Sequence, residues 1–541
     1  MSKRKVSKAC LSAYHNEVTG SRNLLEVSFV DGRTYHILVD CGYFQEIEYR
    51  HLNYMDDLDP TKIDAILVTH NHIDHTGLLP KMVKNGYKNP IYMTQITKQL
   101  LPKFLKDSAD QQEDNAKYLR DKYPVEAWRF HPLYNEDDVE KTMRLCQGLN
   151  YGETYEILPG IKVTYFVNGH LLGAGFILVQ CEDHLMKPIN FFFTGDYKLT
   201  NPFFTVPDIP AWVRRLELIM VHESTYGNTN SKDIKVCFTQ NLLEAFSKNL
   251  FILIGAFAQG RMQEVLYDLR KLQDKNLIPE QYEIWVDGPL GIDTNYKYQK
   301  ILNWFNPETS DFLPKNLQIV DPKQRNNILN STRPRIVVTT SGMLSNGPAR
   351  QYVPMFLEHN RAMIHLTGYA AEETLARTLL DAKRSEMITI GGNVYHKRAV
   401  VKSTREKTSH VTLDGMLDFI NQFDDIEFLA INHGEESVQN YLACSVKENC
   451  PDVEMVDVLN RQHVYYIYQM ATAQDRYSNL VIKKAPSKLE MDFPSERAQQ
   501  IMNKKEKQKY KKEKRREEKR DRKKAKRSRS ETDQQYCNQL L

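Results

Sequence analysis

The 541-residue sequence has no apolar run long enough to span a bilayer, which takes about 20 residues as a helix, so no membrane association is expected. Its start, Met1-Ser2-Lys3-Arg4-Lys5, is basic, but no apolar segment follows, and a secretory leader is not expected either. The eight cysteines (10, 41, 146, 181, 237, 444, 450 and 537) are scattered and form no CxxC pair. That argues against a disulfide framework. Several, Cys181 among them, lie in apolar runs and read as reduced core thiols of a cytoplasmic protein, or a nuclear one if the source is eukaryotic. What remains is ordinary: 41% hydrophobic, 26% charged, and long enough for two or three domains.

The small net charge of +4 conceals an asymmetry. Residues 504–529 hold 17 Lys and Arg against 5 Asp and Glu, a net of +12, which leaves −8 for the remainder. This run has no apolar face. It reads as a solvated, disordered charge run, as a sequence-independent clamp on nucleic acid, or as a nuclear localisation signal.

Three of the 16 histidines fall within six positions, His70-Asn71-His72-Ile73-Asp74-His75. They follow Ala65-Ile66-Leu67-Val68-Thr69, a short β-branched run that predicts a buried strand. Gly77 and Leu78-Leu79-Pro80 predict a turn and then a helix. In extended backbone, residues two apart face the same way, so His70, His72 and Asp74 converge on one side while His75 reaches an adjacent point. Imidazoles beside a carboxylate suit zinc better than calcium or magnesium, which prefer all-oxygen shells. No cysteine is interleaved, which favours an open catalytic site over a closed structural one.

Other polar residues also follow predicted strands at once. Asp40 follows His36-Ile37-Leu38-Val39, His170 follows Lys162–Val167 and Asn168-Gly169, and Asp196 follows Phe191-Phe192-Phe193-Thr194 and Gly195. Glu223 follows Leu218–Val221 and His222, and His433 follows Phe428–Ile431 and Asn432. With His70 that makes six residues at strand ends, where α/β folds place ligands. Residues 92–150 read as mostly helical, with Glu136–Leu149 as one stretch. Residues 228–400 alternate strands (Leu250–Ile254, Glu283–Val286, Arg335–Val338, Ala362–His365) with helical stretches, a βαβ pattern that predicts a parallel doubly wound sheet. After about residue 475 the apolar pattern fades.

The ordered set resembles the metallo-β-lactamase superfamily: His70-x-His72-x-Asp74-His75 with Asp40, His170 and Asp196. Further on, Glu223-Ser224-Thr225-Tyr226-Gly227, Gly260-Arg261-Met262-Gln263-Glu264, Thr340-Ser341-Gly342-Met343-Leu344, and Gly368-Tyr369 with Thr374-Leu375 resemble its β-CASP branch of RNA- and DNA-processing nucleases. Glu17-Val18-Thr19-Gly20-Ser21 and Gly169-His170-Leu171-Leu172-Gly173-Ala174 are similar to the group that contains the endonuclease subunit of the eukaryotic mRNA cleavage and polyadenylation machinery and its prokaryotic relatives. The resemblance covers about residues 10–470. It implies an αββα sandwich from residues 1–227 and 406–475, an inserted doubly wound parallel-sheet β-CASP domain at 228–405, and a basic, disordered or helical tail at 476–541.

The resemblance also implies two zincs: one on His70, His72 and His170, one on Asp74, His75 and His433, with Asp196 bridging and Asp40 orienting the ligands. His410, Glu223 and Asp74 would be the catalytic residues, with His410 a general acid held protonated by Glu223. Arg261, Tyr226, Ser341 and Gly342 would contact substrate, Arg261 by holding a phosphate or else lying on a helix surface. His222 reads better as a satisfied core histidine. Thr408-Ser409-His410-Val411-Thr412 departs from the family's Ser-x-His-x-Asp, so His410 is assigned by its spacing to Asp418-Phe419-Ile420. Two other departures are His15-Asn16, where small residues are common, and Glu373, where glycine is usual; no KH-like segment precedes the first motif.

The activity so implied is endoribonuclease cleavage of single-stranded or unstructured RNA by a two-metal hydroxide mechanism, in a homodimer or an RNA-processing complex. The alternatives are a 5′-to-3′ exoribonuclease of the RNase J type, a DNA nuclease, a small-molecule hydrolase on the same zinc core, or a scaffold without activity. The Gly-His-Leu-Leu-Gly-Ala segment speaks against the first. The insertion speaks against the small-molecule hydrolase, and the complete ligand set against the scaffold.

Overall fold

Every second residue of the strand Asn23–Ser28 is buried, as in a sheet with one face on a core. In the computed structural model this strand belongs to an eight-stranded mixed sheet. Its order is Asn479–Pro486, His463–Met470, Val6–Ala13, Asn23–Ser28, Thr34–Val39, Ala65–Leu67, Ile91–Thr94 and Cys146–Leu149. The residues described are 6–15, 17–46, 48–124, 130–182, 188–368, 370, 374–470 and 479–487. The basic run 504–529, with most of the expected tail, lies outside them, as do Met1–Lys5, Asn16, Tyr369 and Glu373. All the described residues up to Ala485 belong to one compact unit.

A seven-stranded mixed sheet faces the first, in the order Val456–Val458, Ile426–Ile431, Leu218–His222, Ile189–Phe193, Gly175–Cys181, Ile161–Val167 and Thr154–Leu158. Leu25, Val27 and Ile37 of one sheet pack with Ile177, Phe191 and Ile219 of the other. The outer face of the first sheet buries Ile66 and Met93 against Leu101 and Leu105 of the helix Gln95–Lys122. The outer face of the second buries Leu178 and Phe192 against Met416 and Phe419 of Leu413–Ile420 and Leu442 of Glu436–Asn449. Strands buried on both faces have no polar side to show, which is why Phe191–Phe193 and Leu218–Val221 within these two strands read as unbroken apolar runs.

The third sheet has six strands, every neighbouring pair parallel: Gln318–Ile319, Glu283–Asp287, Arg335–Thr339, Phe251–Gly255, Ala362–Leu366 and Val400–Ser403. The helices Arg261–Asp274 and Pro289–Phe305 cover one face. Ala349–Glu358 and Leu375–Asp381 cover the other. The chain therefore leaves Phe251–Gly255 towards one face and its two neighbouring strands towards the opposite face. That opens a crevice at their carboxyl ends. The insertion departs after Leu218–His222 and returns through Ile426–Ile431, adjacent parallel strands, so one element can leave and re-enter the sandwich at one place. The expected αββα sandwich with an inserted doubly wound sheet is the fold the chain adopts.

The structure corrects two sequence expectations. The helix starting at Glu136 ends at Leu145, and Cys146–Leu149 is a strand parallel to Ile91–Thr94; Cys146 and Leu149 are buried at its two ends, a packing gain that local helical pattern does not register. The first sheet also continues through Asn479–Pro486, past the expected limit at 475. Seven of the eight cysteines lie among the described residues. All seven are free, and five of them are buried. No described helix is long and apolar enough to cross a membrane.

Candidate metal centre

The strand Ala65–Leu67 delivers His70 to the edge where the two sheets of the sandwich meet, but the backbone does not stay extended. His72 is an N-cap (φ −64°, ψ 151°), and Ile73–Thr76 form one helical turn. The loop after Thr34–Val39 holds that turn: Cys41 N donates to His75 O at 2.7 Å and Tyr43 N to Ile73 O at 2.9 Å. Ser21 N donates to Asp74 O at 2.8 Å. A Cβ on Gly42 would lie 1.6 Å from Asp74 O, so only glycine allows this approach. The turn swings Asp74 away from His70 and His72. The extended geometry, which groups those three, is thereby overturned, because a helical residue advances 100° where a strand residue alternates.

Two groups result. Ligand atoms of His70, His72, His170 and Asp196 lie within 4.8 Å of one another, and so do those of Asp74, His75, Asp196 and His433. Asp196 belongs to both. Its Oδ2 is 3.6 Å from His70 Nε2 and 3.7 Å from His170 Nε2, while its Oδ1 is 3.3 Å from His75 Nε2 and 3.2 Å from His433 Nε2. Asp74 Oδ2 is 4.0 Å from His75 Nε2 and 3.9 Å from His433 Nε2.

Outer partners fix which ring nitrogens face inwards. His75 Nδ1 donates to Asp40 Oδ2 at 2.7 Å, and His170 Nδ1 donates to the carbonyl of Ser409 at 2.9 Å. Asp40 also accepts from Thr69 N (2.8 Å) and Thr69 Oγ1 (2.9 Å), and Thr69 Oγ1 is 3.1 Å from His70 Nδ1. His433 Nδ1 is 3.2 Å from Thr225 Oγ1. In these four rings the outer bond occupies Nδ1 and leaves Nε2 to face the carboxylates, the arrangement of a metal-ligating imidazole, whereas His72 turns Nδ1 inwards, 3.2 Å from His170 Nε2. Asp40 and His433 sit at φ 62° and 52°, left-handed conformations that residues other than glycine seldom adopt and that cluster at functional sites. Residues that sequence reasoning missed include Thr69, Thr225 and Asn168, whose Nδ2 donates to Asp196 O at 2.8 Å and whose Oδ1 accepts from His170 N. Their signal was position alone, each next to or near a strand end.

The electrostatics follow from burial and neighbours. Burial, with nearby imidazoles, holds His70 and His170 well below the usual imidazole value, and His72 is lowered mainly by burial. Burial would also lower His75, but Asp196 and Asp40 outweigh it and hold that ring well above the usual value. Burial would raise Asp196, but His433 and His75 outweigh it and hold the carboxyl well below the usual range. His70 Nε2 and Asp196 Oδ1 are buried with no hydrogen-bond partner, a costly arrangement for a purely structural cluster. Imidazole and carboxylate donors, converging and short of partners, fit divalent cations of the borderline class.

His410 stands beside the first group, its ring centroid 5.0 Å from that of His170. Its Nδ1 is 2.9 Å from Glu223 Oε2. Burial opposes its charge, but Glu223, Asp196 and Asp74 outweigh burial, and the ring is pushed up to about 9. Glu223 is fixed in turn by Tyr197 N, which donates to its Oε1 at 2.7 Å. Tyr226 lies 6.2 Å from His410, ring to ring, at 28°. His222 is a core histidine: burial pushes it down to about 4, and its Nε2 is 2.9 Å from Tyr197 Oη. Arg261 does not lie on a helix surface. It is buried, with Nη1 on Glu264 at 3.0 Å and Nη2 on Ser409 Oγ at 3.2 Å. Ser341 and Gly342 follow the strand Arg335–Thr339. A Cβ on Gly342 would touch the ring of Phe257, and Ser341 Oγ accepts from Asn346 N at 3.3 Å.

Residues 26–208 match the family model of the metallo-beta-lactamase superfamily, and residues 262–379 match that of the Beta-Casp domain. The chain is 31% identical over 362 residues to the transcription termination factor FttA of Methanosarcina mazei, an alignment covering 63% of this chain and 54% of that protein. It thus spans about half the length of that relative. It is 27% identical over 432 residues to ribonuclease TTHA0252 of Thermus thermophilus, covering 78% of this chain and 91% of that protein.

Proposed function

The chain belongs to the metallo-β-lactamase superfamily and carries a β-CASP domain, and from that premise we propose that it is a two-zinc ribonuclease that cuts single-stranded or unstructured RNA internally. The observation that carries the proposal is one carboxylate, Asp196, turned towards two histidine groups at once, with a glutamate-held histidine beside them. The Thermus relative is named a ribonuclease, which favours RNA over DNA or a small molecule. Residues 1–227 and 406–475, extended by the strand to Pro486, would form the hydrolytic sandwich, and 228–405 the β-CASP domain.

His70, His72, His170 and Asp196, and Asp74, His75, His433 and Asp196, would hold the zincs, which when bound would supply activation of a water for attack and neutralisation of negative charge at phosphorus. The chain's own groups do the rest. Asp40 and Ser409 keep the Nε2 atoms of His75 and His170 aimed inwards. Glu223 takes His410 Nδ1 and so leaves Nε2 as the atom that gives its proton. That proton goes to the 3′-oxygen as its bond to phosphorus breaks, and a positioned donor of this kind is worth about 10²–10⁴-fold in rate.

The test is cleavage of a circular RNA by the purified protein, with the product ends sequenced, and of the same RNA by His410→Ala. Internal cutting linearises the circle, whereas a 5′-to-3′ exonuclease leaves it intact. His410→Ala should retain metal and RNA binding and cut about 10²–10⁴-fold more slowly, with a smaller defect on a substrate whose leaving group needs no proton. Unchanged cutting by His410→Ala removes it from the mechanism.

A further inference from the structure

Asn71 lies between His70 and His72 and is fully buried. Its partner is 188 residues away. Asn71 Nδ2 donates to Gln259 Oε1 at 2.5 Å, and Gln259 Nε2 donates to Asn71 Oδ1 at 2.8 Å. Gln259 is buried as well, only 3% exposed. It sits in the short loop between the strand Phe251–Gly255 and the helix Arg261–Asp274, at the crevice of the inserted sheet. Gly260, at φ 74°, turns the chain there. Two residues on, Arg261 donates through Nη2 to Ser409 Oγ, and the carbonyl of Ser409 accepts from His170 Nδ1. Ser409 also immediately precedes His410.

One loop of the inserted domain therefore braces all three histidines of the first group and the proton donor. It reaches His70 and His72 through Asn71, and His170 and His410 through Ser409. The second group takes its outer partners, Asp40 and Thr225, from the sandwich. An amide pair is also a demanding contact. Both groups are satisfied only in one relative placement, and a slide leaves buried donors and acceptors open. An apolar contact would tolerate the slide.

We propose that Gln259 and Asn71 are positioning residues: their paired amides make the zinc affinity of His70, His72 and His170, and the aim of His410, depend on the docking of the inserted sheet. The metal part of this inference stands on the geometry alone, while its kinetic part rests on the ribonuclease reading.

The experiment uses the full chain as wild type, Gln259→Leu, Asn71→Leu and the double variant. Each single change leaves a buried amide without its partner; the double change removes both. Three quantities are read: the melting temperature of metal-free protein, the two zinc-binding steps by competition with a chelator, and kcat and KM on RNA. The single variants should weaken one zinc step by about 10–100-fold, the usual cost of losing an outer partner of a ligand, and leave the other step unchanged. Their kcat should fall with KM unchanged. The double variant should recover melting temperature without recovering the zinc step or kcat. Recovery of all three would mean the pair only fills space and would overturn the inference, as would two unaltered zinc steps in the single variants. Should Gln259→Leu not fold, the similarly long, uncharged Gln259→Met, which lacks the amide, is read in the same way. A wild type that binds two zincs and cuts no RNA refutes the ribonuclease reading, and the zinc titrations still decide this one.

Discussion

Replacing Asp40 with asparagine changes one atom type and inverts the logic of His75. Asparagine tolerates the left-handed backbone at residue 40 (φ 62°), so the change adds no backbone strain. Its Oδ1 can still accept from Thr69 N, which lies 2.8 Å from the present carboxylate. Its other atom, however, becomes an NH2 facing His75 Nδ1, now 2.7 Å from Asp40 Oδ2. Two donors cannot face each other, so Nδ1 must give up its proton and become an acceptor, and the ring's remaining proton stays on Nε2. That nitrogen faces Asp196 Oδ1 at 3.3 Å and cannot offer a lone pair. The loss is one hydrogen bond to a charged group, about 1.5–3 kcal/mol. At about 1.4 kcal/mol per tenfold in an equilibrium constant, that is on the order of 10–100-fold in affinity, matching what outer partners of metal-bound histidine usually contribute. The burden should fall on the group of Asp74, His75 and His433. Metal per chain after dialysis against graded chelator should show one equivalent lost at lower chelator concentration and the other retained as in wild type. Nitrogen-labelled histidine spectra of the metal-free protein should show one ring that has lost its Nδ1 proton. Two equivalents retained with wild-type affinity, or two lost together, would refute the reasoning.

Asp196→Ala removes the carboxylate turned to both groups and should weaken both metals; retention of either at full affinity would end its bridging role. Glu223→Gln removes the first carboxylate that holds His410 up at about 9. A donor must be protonated, so activity is lost as pH rises through its pKa, and the alkaline limb of kcat should move to lower pH in the variant. Positive charge bound at the two groups acts on wild type and variant alike, so the difference between their profiles is the quantity to read, and coincident limbs would exclude Glu223 as the cause. The basic run 504–529 predicts a tail that captures RNA without doing chemistry. A chain ending near residue 490, which spares the strand Asn479–Pro486, should keep its kcat, lose affinity at low salt, and show a flatter plot of log affinity against log salt; parallel plots would mean the tail does not touch RNA.

How much of the molecule was legible in its sequence depended on range. Sequence made most of the elements legible and, through the family resemblance, named the candidate donors. Short apolar runs such as Phe191–Phe193 and Leu218–Val221 announce strands because burial on both faces demands apolar side chains throughout. The polar residues just past them had to lie at one edge, because strand ends are where such folds can expose ligands. The αββα sandwich with its inserted parallel sheet followed from the same signals and is the fold observed. The strands Cys146–Leu149 and Asn479–Pro486 were less legible, because each gains its stability from a neighbour distant in the chain and not from its own pattern.

Only the tertiary structure supplied the geometry of a sharing that the family resemblance already implied, with Asp74 beside His75 and His433 and Asp196 between the two groups. Spacing groups Asp74 with His70 and His72, but one turn of helix, held by Gly42 and the backbone of residues 41–43, assigns it to His75 and His433. The bifacial position of Asp196, the hydrogen bonds that aim each imidazole, and the burial of Arg261 against Ser409 join residues from 29 to more than 200 positions apart. Gln259 carries no motif that sequence reasoning could weigh, and its partner Asn71 hid inside one. The physical reason is common to all of them. Local sequence fixes backbone conformation and which faces must be buried, whereas the direction in which a buried polar atom finds its partner is set only when distant segments pack and leave it a single way to be satisfied.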